Sequence, residues 1–327
     1  MKKVAAFSPA ELAEIFSETA AEKGMTPAAA EKDFWLCRVL MIIFEHPDLS
    51  PILRLKGGTS LSKCYGITDR FSEDIDLVLD WTVLTGEDPV KKSKTRQDRF
   101  NKALNDLAAE YIRKEILPAL ENGIDPTCSA EVDANDSLII DVGYPKAFDN
   151  EYLRPVIRLE IGPLAAMVPS GKLPVRPYAA EALPDLFEAP EVPVETIKAE
   201  RTFWEKVTIL HAEAHRPEGR AQQDRYSRHY YDVYRMLDSE AGINAVSDEK
   251  LLADVVSFKA RFYPSGWANY ESAVKGTLKL VPGGEMLKRL KVDYGQMREM
   301  IFGDYTDFDS IIERLAEFEA GFNGKYA

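Results

Sequence analysis

The stretch from Leu53 to Leu79, LRLKGGTSLSKCYGITDRFSEDIDLVL, sets the architecture of the chain. Ile52, Leu53 and Leu55 read as a short apolar strand, Gly57-Gly58 as a tight turn, Ser60 to Tyr65 as a brief helix, and Ile75 to Leu79 as a second strand. Asp74 and Asp76 stand two residues apart where that second strand begins. Side-chain alternation sends both to one face, about 6–7 Å apart by the rise per residue. Carboxylates so placed repel one another unless a cation or protons lie between them. Mg²⁺ is the natural cation, since it is held by one or two carboxylates and completes its shell with water and substrate phosphates. The glycines fit the same chemistry: they let backbone N–H groups approach a phosphate, and the following helix offers its positive end. Thr59, Ser60 and Ser62 add hydroxyls. The plain alternative is a hairpin with a solvated D-x-D, which either the glycine pair or the acidic pair alone would fit. Their combination in a strand, turn, helix, strand order points to a triphosphate–magnesium site.

Length and composition bound what surrounds this unit. With 327 residues, 45% of them hydrophobic, the chain can build one large core or two modest ones. No run approaches the eighteen or so apolar residues of a membrane span. The first twenty residues carry charge and helix-cap chemistry in place of an apolar signal block, so a cytoplasmic protein is expected. Three cysteines, Cys37, Cys64 and Cys128, without C-x-x-C spacing indicate neither a disulfide framework nor a zinc site. A net charge of −13 counts against a surface that wraps nucleic acid. Locally, Lys91, Lys92, Lys94, Arg96, Arg99 and Lys102 face one acid, Asp98. Such a run serves equally as a solvated face or as a guide for RNA.

Upstream, Ser8-Pro-Ala-Glu11 is a capping box and Thr26-Pro27 a second helix start, for a helix to about Phe44. Phe34, Cys37, Val39, Leu40 and Ile43 make its apolar stripe, while Lys32 and Asp33 suit a functional role and an ion pair at the helix surface equally well. Downstream, Gln97 to Glu121 is helical by pattern, with Leu104, Leu107, Ile112, Ile116 and Leu120 as its buried side. Thr127–Val132, Ser137–Val142 and Pro155–Ile161 read as strands. In the last, Arg158 and Glu160 form one polar face, which a simple surface ladder between them would explain. The proline-rich segment Met167 to Val194 reads as an extended surface connection and the best boundary, giving domains of 1–194 and 195–327. Beyond it the pattern turns helical. Arg201 and Lys206 lie off the apolar side of the first helix, where they suit either phosphate binding or solvation. His211 and His215 lack the H-E-x-x-H context of a zinc protease. Tyr263, Trp267 and Tyr270 suit base stacking or a core.

Gly-Gly-Thr-Ser-Leu-Ser-Lys63 followed by Phe-Ser-Glu-Asp-Ile-Asp-Leu77 resembles the first motif of the AbiEii/AbiGii toxin family, nucleotidyltransferases of the DNA polymerase β superfamily. Glu31-Lys-Asp-Phe-Trp35 looks like that family's N-terminal helix signature, Arg201-Thr-Phe-Trp-Glu-Lys206 like its R-x4-K motif, and Arg228-His-Tyr-Tyr-Asp232 like the motif of its last essential aspartate. Phe262 to Phe302 is similar to the C-terminal part of full-length members. The resemblance implies an α+β fold: a polymerase β-like mixed sheet flanked by helices, with a helical C-terminal domain. It implies Asp74, Asp76, Lys206 and Asp232 as catalytic residues, with Asp232 orienting Lys206 or the nucleophile. Gly57, Gly58, Thr59, Ser60, Lys63 and Arg201 would bind the nucleotide, and Glu160 would join Asp74 and Asp76 as a third Mg²⁺ ligand. The implied activity is NMP transfer from an NTP to the 3′ acceptor end of tRNA by a toxin paired with a winged-helix antitoxin, in defence against phage. A protein or small-molecule hydroxyl as acceptor stays open, as does an inert binding module.

Overall fold

The computed structural model of the protein describes residues 1–86, 93–220 and 222–324. The chain forms two compact units, Met1–Ile197 and Lys198–Ala327.

The first unit is built on seven strands: β1 (Leu53–Lys56), β2 (Asp74–Leu79), β3 (Ser129–Val132), β4 (Ile139–Gly143), β5 (Ile157–Gly162), β6 (Ser170–Val175) and β7 (Val192–Ile197). They make one mixed sheet in the order β3-β4-β5-β2-β1-β7-β6. The pairs β2/β5 and β1/β7 are parallel and the other four antiparallel. Its helices are α1 (Lys2–Ala5), α2 (Pro9–Lys23), α3 (Pro27–Glu45), α4 (Gly57–Lys63), α5 (Lys94–Tyr111), α6 (Leu117–Gly123) and α7 (Tyr178–Ala182). The capping box at Ser8 and Glu11 opens α2, and the Thr26 side chain caps α3.

Alternation along the strands divides the sheet into two chemical faces. Leu53, Leu55, Ile75, Leu77, Leu79, Ile157, Leu159 and Ile161 belong to one core with Phe34, Leu36, Leu40 and Ile43 of α3. Each such side chain contributes about 1.5–3 kcal/mol when fully buried. The alternate positions of β2 and β5 carry Asp74, Asp76, Arg158 and Glu160. The sheet thus presents acids on the face opposite its apolar core.

Three sequence expectations are corrected here. Helix α3 is buried on every side from Ala28 to Phe44, so Lys32 and Asp33 are interior and not an ion pair at a helix surface. In the helical stretch after residue 93, Leu107 is 39% exposed, because Leu104 and Ala108 already occupy the inward positions of α5. A π turn at Ile112–Ile116 then joins α5 to α6. Finally, residues 167–194 are not an extended connection: they hold β6, α7 and the start of β7. Pro174 pairs with Pro193 between β6 and β7. Strand β6 is the sheet edge, where proline is tolerated, and Pro193 lies before the stretch of β7 that pairs with β1 at Thr196.

The second unit is helical: α8 (Ala199–Ala214), α9 (Ser227–Leu237), α10 (Glu240–Ser247), α11 (Glu249–Phe262), α12 (Gly284–Gln296) and α13 (Phe308–Phe322). Helix α8 packs against α9, α10 and α11. Its buried Trp204 donates to the Ala245 carbonyl at 2.9 Å, and Phe203 meets Phe318 of α13 edge to face.

Candidate active site

Strand β1 ends at Lys56 and α4 begins at once with Gly57, whose φ of +74° turns the chain. The helix therefore starts three residues earlier than the sequence pattern suggests. That turn brings the backbone of residue 57 against Asp76: a Cβ there would stand 2.1 Å from Asp76 Oδ2. Only glycine fits, by conformation and by space. Helix α4 has no side-chain cap at its N-terminus, which leaves its first N–H groups for a ligand or solvent. At Gly58 the neighbours are Arg70 and Ser72; a Cβ would meet an Arg70 guanidinium nitrogen at 2.5 Å. Arg70 is 2% exposed and donates to the Phe71 carbonyl at 3.2 Å. No sequence pattern marked it.

The hydroxyls expected to reach phosphate serve the turn instead. Thr59 Oγ1 donates to the Asp74 carbonyl at 2.5 Å and Ser60 Oγ to the Gly57 carbonyl at 2.9 Å, and both residues are fully buried. Lys63 likewise has another place. Its ammonium lies 2.8 Å from Asp33 Oδ1 and 3.4 Å from the centre of the Tyr178 ring. Burial opposes charge on both partners, yet the Asp33 carboxylate raises Lys63 above its ordinary range. The Tyr178 amide, donating to Asp33 Oδ2 at 2.7 Å, helps to keep the pair ionised. In this structure Lys63 is an interior cation that ties α4 to α3.

Asp74 and Asp76 sit on the polar face of β2. Parallel pairing sets Asp76 beside Glu160 and Asp74 beside Arg158 on β5, while Lys56 of β1 flanks Asp76 from the other side. The register sets Glu160 beside Asp76. A ladder between Arg158 and Glu160 is not what forms: Arg158 binds Asp141 through Nε and Nη2, each at 2.9 Å, and Asp133 at 2.8 Å. Asp74 Oδ1 lies 3.3 Å from Arg154 Nη1.

The donor set is made of hard oxygens, which suit Mg²⁺ or Ca²⁺ over softer metals. Among the described residues, no three Asp, Glu, His or Cys side chains gather as one metal-binding group. Two carboxylates with the rest of the shell left to water and phosphate is the habit of Mg²⁺, so the arrangement fits that ion.

Three consecutive charges of α3 frame this region. Glu31, 1% exposed, accepts from the Ala147 and Phe148 amides at 2.7 and 3.3 Å; burial raises its carboxyl against those bonds. Lys32 lies 2.8 Å from Glu73, and Asp33 holds Lys63 and the Tyr178 amide.

In the second unit, Lys206 Nζ is 2.8 Å from Asp232 Oδ2, with both residues nearly or fully buried. His229 Nδ1 lies 3.5 Å from the same ammonium. Arg201 is also buried, binding Glu205 at 3.1 Å beside the Phe258 ring. Neither cation of the R-x4-K motif is solvated. His211 is interior, its Nδ1 accepting from the Lys279 amide at 3.1 Å, and burial lowers its pKa to about 4. Trp267 is half-buried beneath the guanidinium groups of Arg216 and Arg220. Of the basic run, Lys94, Arg96, Arg99 and Lys102 line exposed positions of α5, and Lys91 and Lys92 lie outside the described residues.

The mixed sheet thus carries a strand–glycine–helix–strand unit that sets an Asp-x-Asp pair beside the helix start. The chain belongs to the family described as nucleotidyl transferase AbiEii toxin of type IV toxin–antitoxin systems, whose profile matches residues 38–314. Residues 31–35 fall outside that match. No curated protein matches the chain. Among solved structures, MenT4, the nucleotidyltransferase toxin Rv2826c from Mycobacterium tuberculosis H37Rv, is similar at 14% identity and a TM-score of 0.48, over 95% of this chain and 99% of that one.

Proposed function

We propose that this nucleotidyltransferase toxin moves a nucleoside monophosphate from an NTP to the 3′ hydroxyl at the acceptor end of tRNA, with Mg²⁺ held by Asp74 and Asp76. The observation that carries the reading is the seat of Asp76 against the backbone of Gly57. It supports a triphosphate gripped by the N–H groups of Gly57 and Gly58 beside the acidic pair. The bound ion supplies charge neutralisation on the phosphates and a lower pKa for the attacking hydroxyl. The acceptor oxygen forms a bond to the α-phosphorus, the bond from that phosphorus to the bridging oxygen breaks, pyrophosphate departs, and the hydroxyl proton passes to solvent. Glu160, beside Asp76 in register, is assigned as an outer acid of the pair. Lys206, Arg201 and Asp232 are assigned catalytic and nucleotide-binding roles on their motifs, with Asp232 orienting the Lys206 ammonium.

Capping tRNA in this way blocks translation. It suits a toxin restrained by a winged-helix antitoxin, acting in the cytoplasm as a barrier to phage. No described helix is long and apolar enough to cross a membrane. The net charge of −13 favours a second reading, in which the acceptor is a protein or small-molecule hydroxyl.

The test is incubation with Mg²⁺, each α-³²P-labelled NTP in turn and total tRNA, resolved on a denaturing gel beside Asp76→Asn and Lys206→Met. Label on tRNA with the unaltered protein alone is expected. Label on protein or small molecules, with none on tRNA, would favour the second reading.

A further inference from the structure

Arg154 lies in the segment that leads into β5, and its backbone is fixed on both sides. Its N–H donates to Glu73 Oε2 at 2.9 Å, and its carbonyl accepts from Lys32 Nζ at 2.9 Å. Lys32 donates to that same Glu73 oxygen at 2.8 Å. Lys32 and Glu73 are 0% and 2% exposed. Replacing such a buried ion pair by apolar groups is often neutral for stability, so stability alone does not explain why the chain builds one here. Its geometry offers a reason: Glu73 immediately precedes Asp74, so the anchor of Arg154 and the acidic pair share one stretch of backbone.

The Arg154 side chain is placed differently from its root. It is 38% exposed, and its Nη1 ends 3.3 Å from Asp74 Oδ1. A fixed root with a half-exposed arm on one of the two carboxylates has a definite chemistry. A guanidinium and a divalent cation neutralise the same oxygen, so they exclude one another there. Released from Asp74, the arm remains within reach of any anion brought beside that carboxylate, and its fork matches phosphate oxygens in pairs.

We propose that Arg154 is a nucleotide-binding residue: its guanidinium competes with a divalent cation for the Asp74 carboxylate and, once displaced, takes a phosphate of the nucleotide. The proposal rests on the reading of Asp74 and Asp76 as cation ligands given above.

Because the anchors use only the backbone of residue 154, Arg154→Gln and Arg154→Lys are expected to fold, which circular dichroism checks. Mn²⁺ binding is measured by electron paramagnetic resonance without nucleotide. Binding of NTP analogues with a methylene in the α,β bridge is measured by calorimetry at saturating Mn²⁺. Arg154→Gln is expected to bind Mn²⁺ roughly two- to fivefold more tightly, the scale of a half-exposed ion pair. The same variant is expected to bind the analogues roughly tenfold more weakly, the scale of a charged hydrogen bond. Arg154→Lys should lie between it and the unaltered protein on both measures. These opposite signs are what a merely structural arginine would not produce. Unchanged or weaker Mn²⁺ binding in Arg154→Gln overturns the proposal while leaving the nucleotidyl transfer reading intact. Failure of the unaltered protein to bind Mn²⁺ overturns both.

Discussion

Replacing Gly57 by alanine separates two costs that the structure lets one count. The residue has φ +74°, and a left-handed backbone costs a non-glycine residue about 1–2 kcal/mol. A Cβ there also falls 2.1 Å from Asp76 Oδ2 and 2.8 Å from its Cγ, so the carboxylate must leave its seat. Gly66 supplies the matched control: its φ is +60°, and a Cβ at that position meets nothing within 4 Å. Gly66→Ala therefore carries the backbone cost without the contact. For a unit of this size about 1 kcal/mol shifts the melting temperature by roughly 2–4 °C, so both variants should melt a few degrees lower. Only Gly57→Ala should lose transfer activity, by about 100-fold, the penalty for displacing a reacting group by about 1 Å. The assay is nucleotide incorporation at saturating Mg²⁺ for both variants, with thermal melts in parallel. Equal activity in the two would refute the reasoning, because the seat of Asp76 would then not depend on the missing methyl group.

Three further outcomes are expected. Lys32→Met removes the cation beside the buried Glu73 carboxylate and should destabilise the first unit by about 3–5 kcal/mol in denaturant titration; a loss no larger than that of a surface substitution would refute the pairing. Ser60→Ala should keep near-normal transfer activity, since its hydroxyl is engaged by the Gly57 carbonyl, and a collapse of nucleotide binding in that variant would show the hydroxyl to be a phosphate ligand. His211, with its pKa lowered from 6.5 to about 4 by burial, binds its proton more readily in the unfolded chain. Stability of the second unit is therefore unaffected by this group above pH 6.5 and falls as pH drops toward 4; His211→Gln should flatten that part of a melting-temperature profile.

What the sequence could show, and what it could not, divides along the range of the interactions. The order of strand, turn, helix and strand from Leu53 to Leu79 is a local property, written in alternation and glycine placement, and it is legible. So are the paired carboxylates, and Glu160 in a strand with one polar face. The fates of Thr59, Ser60, Lys63, Lys32 and Arg201 were not. Each is a polar residue near a predicted site, and sequence alone leaves a phosphate and a buried protein partner equally available to it. Lys32 meets Glu73 across 41 residues, and Asp33 meets the Tyr178 amide across 145. No local periodicity reports such separations. The prolines between residues 167 and 194 misled for a related reason: proline marks a chain that lacks one donor, and an edge strand satisfies that condition as well as a loop does.

The order in which the sheet's strands leave the ribosome follows from its topology. Asp74 and Asp76 are synthesised early, yet the strand that sets Glu160 beside them comes more than eighty residues later, and β7, which flanks β1, is complete only at Ile197 of 327 residues. The amide that receives Asp33 arrives with Tyr178 in the same late stretch. A nascent chain interrupted before this point has the acids but not the scaffold that seats them. Seating the acids is thus a property of the finished first unit, Met1–Ile197, and not of the stretch that carries them.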